Sequence, residues 1–143
     1  VSLETAAHKA IHDALVDPAL TELRALIGTR VYDRVPPTAI YPYVTVSVEV
    51  TDDSNTCSSA FKVQPTVTVN SASVGQVEAE TIGGIIRSVL APHDIADWIS
   101  IAAHTVVASD FDTAVYRPGD EPGLSTEGVL IFTYLVDPLT EET

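Results

Sequence analysis

Between Val31 and Glu49 the chain reads VYDRVPPTAIYPYVTVSVE, and no other stretch limits the fold as tightly. Val44, Val46, Val48 and Val50 alternate with Thr45, Ser47, Glu49 and Thr51. Strand side chains point to opposite faces with period two, so the spacing predicts a strand over Tyr43–Val50 with one buried valine face and one wet face. Val31–Val35 predicts a shorter strand before it. Pro36 and Pro37 carry no backbone N–H and cannot continue a ladder, so the chain leaves the sheet there. Pro42 biases Tyr41 toward extended backbone and leads the chain into the second strand.

Upstream, the period is helical. Ser2 is a natural N-cap for a helix from Leu3 to about Val16, with Leu3, Ala7, Ala10, Ile11, Ala14 and Leu15 on one stripe. Asp17-Pro18 reads as a second cap with Pro at the first helical position. Leu20, Leu23, Leu26 and Ile27 then form an apolar face that Gly28 terminates.

Downstream, Thr51–Thr56 is turn chemistry, and a third strand is expected over Phe61–Asn70. Pro65 within it predicts an edge position or a bulge, and an exposed edge is where a neighbouring subunit's strand can pair. Val74–Leu90 returns to helical spacing, with Val77, Ile82, Ile85, Ile86, Val89 and Leu90 near one face. Gly83-Gly84 in that helix lacks the surrounding motif of a phosphate loop and reads as close packing on the sheet. Pro92 ends the helix, and Asp94–Trp98 fits either a helical turn or a strand entry. Ile99–Ala103 and Thr105–Phe111 read as two strands, the second extending toward Tyr116. Arg117–Ser125 is a long acidic loop, and Gly128–Val136 is an apolar run of central-strand type. The order predicts an α+β domain spanning residues 1–143. Its sheet is mainly antiparallel, with two N-terminal helices and one longer central helix packed on one face.

The formal net charge is −13, and it is unevenly spread. Residues 1–48 carry −1 and residues 49–143 carry −12, the latter with only Lys62, Arg87 and Arg117 as cations. Nucleic-acid binders draw affinity from neutralising phosphates with Lys and Arg, so this balance disfavours DNA or RNA as a bound ligand. It suits a wall past which DNA slides. At 45% hydrophobic residues the chain is no disordered acidic tail. No apolar run reaches membrane-spanning length, and the N-terminus lacks the basic and apolar segments of a secretory leader. A cytoplasmic origin is therefore expected. The lone Cys57 excludes an internal disulfide.

No motif announces chemistry. His8 and His12 share a helix face, but Lys9 stands where a metalloprotease helix has glutamate, so a solvated face is expected rather than a metal. Asp110 and Asp112 form a D-x-D and Asp52-Asp53 an acidic pair, without the offsets of a calcium loop. His93 and His104 lie near element ends, and there is no G-x-S-x-G elbow. Trp98, Tyr41, Tyr43 and Tyr116 lack neighbouring cations and read as core or interface aromatics. Neither catalytic residues, metal nor cofactor is expected.

The VYDRVP strand, the aromatic-Pro-Tyr-Val entry to the next strand and the two helices upstream resemble the tail-completion family of long-tailed bacteriophages. Its members are also called tail terminators or head–tail joining proteins, with relatives in prophages and gene transfer agents. The resemblance covers nearly the whole chain. It implies a structural virion protein assembled in the bacterial host cytoplasm, forming a hexameric ring in the particle's neck. Such a ring caps the head-proximal end of the tail tube, stops its polymerisation and joins the tail to the head connector, with no membrane partner. The implied partners are further copies of the chain, the tail-tube protein and a connector or stopper protein, with DNA passing through unbound. Alternatives are a head-completion or connector protein, and a small α+β enzyme or ligand-binding domain using His104, Asp110 or Asp112 in a cleft. The polar loops Thr51–Ala60 and Arg117–Ser125 are the expected contact segments. Arg34, Asp52, Asp53, Arg117, Asp120 and Glu121 are the candidate interface residues.

Overall fold

A computed structural model describes residues 2–52, 61–72, 76–94, 97, 99–119 and 125–138. Helix α1 (Leu3–Leu15) begins where Ser2 Oγ accepts the Thr5 N–H at 3.2 Å, satisfying one of the donors a helix start leaves over. Ala7, Ile11 and Leu15, four apart, lie on its buried face. The Asp17-Pro18 cap does not form. Asp17 Oδ1 instead accepts the N–H of Ala19 in a turn, and helix α2 (Thr21–Ile27) starts later with Leu20 at its cap. An Asp that bonds its own backbone two residues on competes with the cap geometry, and here the turn wins. Gly28, at φ +60°, ends α2 as expected.

Strand β1 is only Val31–Tyr32, paired in parallel with Val44 and Thr45 of β2 (Tyr43–Asp52). The predicted run to Val35 is cut short because Asp33 Oδ1 takes the Arg34 N–H and the prolines follow directly. Strand β3 (Phe61–Ser71) runs antiparallel to β2 and joins the valine faces, Val44 opposite Val69 and Val46 opposite Val67. Helix α3 (Val77–Leu90) leads to β4 (His104–Pro118) and β5 (Thr126–Pro138), giving the sheet order β1-β2-β3-β5-β4.

Three expectations change. Pro65 marks neither edge nor bulge: β3 is internal, its register with β2 is unbroken, and its ladder to β5 omits Gln64 and Pro65 and resumes in step. The missing N–H is accommodated by that local gap. Ile99–Ala103 is not a strand, since Ala103 sits at φ +64° and His104 N–H closes a turn onto Ile101 O. Val77 is exposed, five residues from Ile82 and so well off the stripe of Ala79, Ile82, Gly83, Ile86 and Leu90. The predicted first turn from Val74 and the assignment of Trp98 lie outside the described residues.

Helices α1 and α3 cover one sheet face, and α2 packs on α3. Ile11, Ile82 and Ile86 meet Val44, Val67, Leu130 and Phe132 in one buried core. Gly83 lets α3 sit close to the sheet, because a Cβ there would fall 2.2 Å from Tyr116 Oη. Gly84 faces open space, so close packing explains only the first of the pair. The last carbonyl of α3, Leu90 O, accepts both the Tyr134 hydroxyl and Ser109 Oγ from the sheet. Burial pushes the Tyr134 phenol far above its ordinary value.

Candidate interaction surface

Among the described residues the sheet has one covered face, one open face and two unequal edges. The open face carries the polar partners of the valines: Thr45 opposite Thr68, Ser47 opposite Thr66, Glu49 opposite Gln64. Val129, Ile131 and Leu135 of β5 form a half-buried strip along its middle. Asp110, Asp112 and Glu127 add carboxylates against Lys62 and Arg117. Arg117 sits directly opposite Glu127, and its Nη2 donates to Glu127 Oε1 at 3.0 Å. Asp112 Oδ2 accepts from Thr133 Oγ1 across the same strand pair.

At one edge stands β4, fifteen residues long and paired only with β5. Register shifts between Val106 and Ala108 and between Phe111 and Thr113 bend it, the kind of irregularity that keeps a free edge from promiscuous pairing. At the other edge β1 shields β2 at two residues only. His8 Nε2 then donates to Val46 O at 3.2 Å, satisfying the next carbonyl where strand pairing stops. His8 is thus half-buried and engaged, not solvated as the sequence led us to expect, while His12 reaches no closer than 3.5 Å to Asp13.

A groove of about 600 Å³ lies along this edge, lined by Glu4, His8, Lys9, His12, Tyr32 and Asp33 among others. Lys9 is tied to Asp13 one turn on, which holds the Asp13 carboxyl below its usual range. A second groove of about 600 Å³ lies between α3 and β4, where Arg87 stacks 4.2 Å above the Phe111 ring beside Ser88, His93 and Asp110. His104 donates from Nδ1 to Ala102 O and is six strand residues from Asp110, roughly 20 Å at strand rise, so these two do not converge. Among the described residues no three His, Cys, Asp or Glu side chains group as a metal set.

Residues 9–136 match the family model of the tail completion protein gp17. The chain belongs to the tail completion family. These are phage tail structural proteins, and the match takes in β1 to β4, all but the last two residues of β5 and about half of α1. Among solved structures, a chain from the virion of a native gene transfer agent particle shares the fold at TM-score 0.71. It is 23% identical, with 88% of this chain and 90% of that chain covered. No curated protein matches.

Of the residues singled out from sequence, this tail completion chain places Arg34 exposed on the β1–β2 connection, Asp52 at the end of β2 and Arg117 near the end of β4. They fall at separate points of the sheet. Asp53, Asp120 and Glu121 lie outside the described residues, as do most of the two loops expected to make contacts. On the β1–β2 connection sequence reasoning singled out Arg34 and Tyr41 but missed Val35 and Ile40. Val35, Ile40 and Tyr41 on it are 39%, 61% and 39% exposed, an apolar knob in an acidic protein. The prolines at 36, 37 and 42 were the available signal, since they take the chain out of the sheet. The knob is held in shape: Arg30 Nε donates to Pro42 O, Ala39 N–H to Pro36 O, and the rings of Tyr41 and Tyr43 stand 5.4 Å apart.

Proposed function

We propose that this chain is the tail terminator: a hexameric ring that caps the head-proximal end of the tail tube, stops its growth and joins it to the head connector. The observation that carries this reading beyond the family is the uncovered sheet face. Its hydroxyls and carboxylates outnumber its cations, so a ring that turned these faces inward would present DNA with a wall that repels phosphate and offers few counter-charges. The partners in this reading are further copies of the chain, the tail-tube protein and a connector or stopper protein. Assembly takes place in the bacterial host cytoplasm, and DNA passes through without specific binding. A heterologous contact repeated from copy to copy closes when its rotation divides a full turn, which gives a ring a defined bore.

The test is tube length. Tail-tube protein polymerised with this chain present is expected to give tubes shortened in proportion to the amount added, measured by electron microscopy, with the chain at one end. Tubes of unchanged length, with the chain absent from their ends, would contradict the reading.

A further inference from the structure

The large apolar side chains that stay exposed among the described residues are Val35, Ile40, Tyr41, Val77, Val107 and Val115. Leaving aside Val77, which opens α3, they fall into two groups at opposite ends of the sheet order. Val35, Ile40 and Tyr41 project from the β1–β2 edge, while Val107 and Val115, 45% and 50% exposed, lie on β4. One monomer cannot bring its two edges together. From this the geometry points to a head-to-tail contact between copies of this chain, with the β4 edge of one seated against the β1–β2 edge of the next. The inference rests on the ring reading above and names the surfaces that build the ring.

Strand direction agrees. β3 is antiparallel to β2, β5 to β3, and β4 to β5, so β4 runs opposite to β2. A second copy placed beside the first with its strands aligned therefore sets its β4 antiparallel to the first copy's β2, and the alternation continues from copy to copy. In that arrangement the start of β2 faces the end of β4, which brings the Ile40 knob toward Val115. Beyond Val46, whose carbonyl His8 holds, Ser47–Asp52 has no strand on its outer side among the described residues and faces the Val107 end. Charge at this contact is mixed: the loop edge presents exposed Arg34 beside exposed Asp33, and the β4 edge presents exposed Asp110, Asp112 and Arg117. Copies that each carry −13 repel one another, so the contact has to be held by its apolar groups. A second copy meets both conditions: apolar match and strand direction.

The experiment is disulfide capture in the full chain with Cys57→Ser. Ile40→Cys and Val115→Cys together are expected to give, under mild oxidation, a ladder of linked oligomers ending at the ring size, while each substitution alone gives none. A single variant that links as well as the pair would overturn the head-to-tail contact in favour of a two-fold one. A ring seen by native mass spectrometry without any ladder would overturn this contact and leave the ring reading standing. A chain that stays monomeric with and without tube protein would remove the ring reading, and this contact with it. Val115→Asp supplies an independent check. Its side chain is half exposed, so the melting temperature should be unchanged while the ring mass is lost; a ring that persists contradicts the proposal.

Discussion

Phe132→Ala is expected to lose about 3–5 kcal/mol of folding stability. Phe132 is fully buried on β5, between the inward-facing Leu130 and Tyr134, and its ring meets Phe111 edge-on at 5.5 Å. Truncation removes both the transfer energy of the ring and its dispersion contacts, and a strand held between β3 and β4 cannot close the space. Total stabilities are about 5–15 kcal/mol, so the loss approaches the whole margin. The check is a urea titration followed by circular dichroism. A large fall in midpoint is predicted, with Phe111→Ala giving a smaller one because that ring is only partly buried. A midpoint within error of wild type would place the core elsewhere.

Gly128→Ala is expected to destabilise where general propensity says the reverse. Replacing a strand glycine by alanine ordinarily gains roughly 0.5–1 kcal/mol, because the unfolded chain has less freedom to lose. Here Gly128 lies directly opposite Tyr116, and a Cβ would stand 2.6 and 2.7 Å from ring atoms Cε1 and Cδ1. The ring cannot move freely, since its hydroxyl end already rests over Gly83 on α3. Overpacking of this kind costs about 1–3 kcal/mol, enough to reverse the sign. Tyr116→Ala in the same chain removes the obstacle, so the double variant should lose less than the sum of the single losses, by about 0.5–3 kcal/mol. Thermal unfolding of the four proteins measures this coupling. Strict additivity would mean that Tyr116 does not lie over Gly128.

The parts of this fold legible in the sequence were those set by local periodicity. The valine alternation of β2, the stripes of α1 and α3, and the apolar run of β5 each appear where their spacing put them. Proline misled in the middle of β3, because a missing N–H argues for an edge only when the strand on that side needs the donor. The sheet dispenses with it at one local gap. Asp17-Pro18 misled for a related reason, the same side chain being equally suited to a cap and to a turn.

The surface was harder to read. Val115 looks like a core residue in any sequence, and for Ile40 only the neighbouring prolines say otherwise; the tertiary arrangement leaves both outside on opposite edges. Arg117 reads as a free cation beside an acidic loop, yet strand register brings Glu127 across to it. The acidic bias of residues 49–143 was visible from composition, but that Glu49, Asp112 and Glu127 reach an uncovered face depends on which side of the sheet the helices take.

Native mass spectrometry of the full chain, alone and mixed with its tail-tube protein, tests the terminator reading most directly. A closed six-copy species is expected, formed either by the chain itself or on the end of the tube. A strict monomer, indifferent to the tube protein at every concentration, would contradict it.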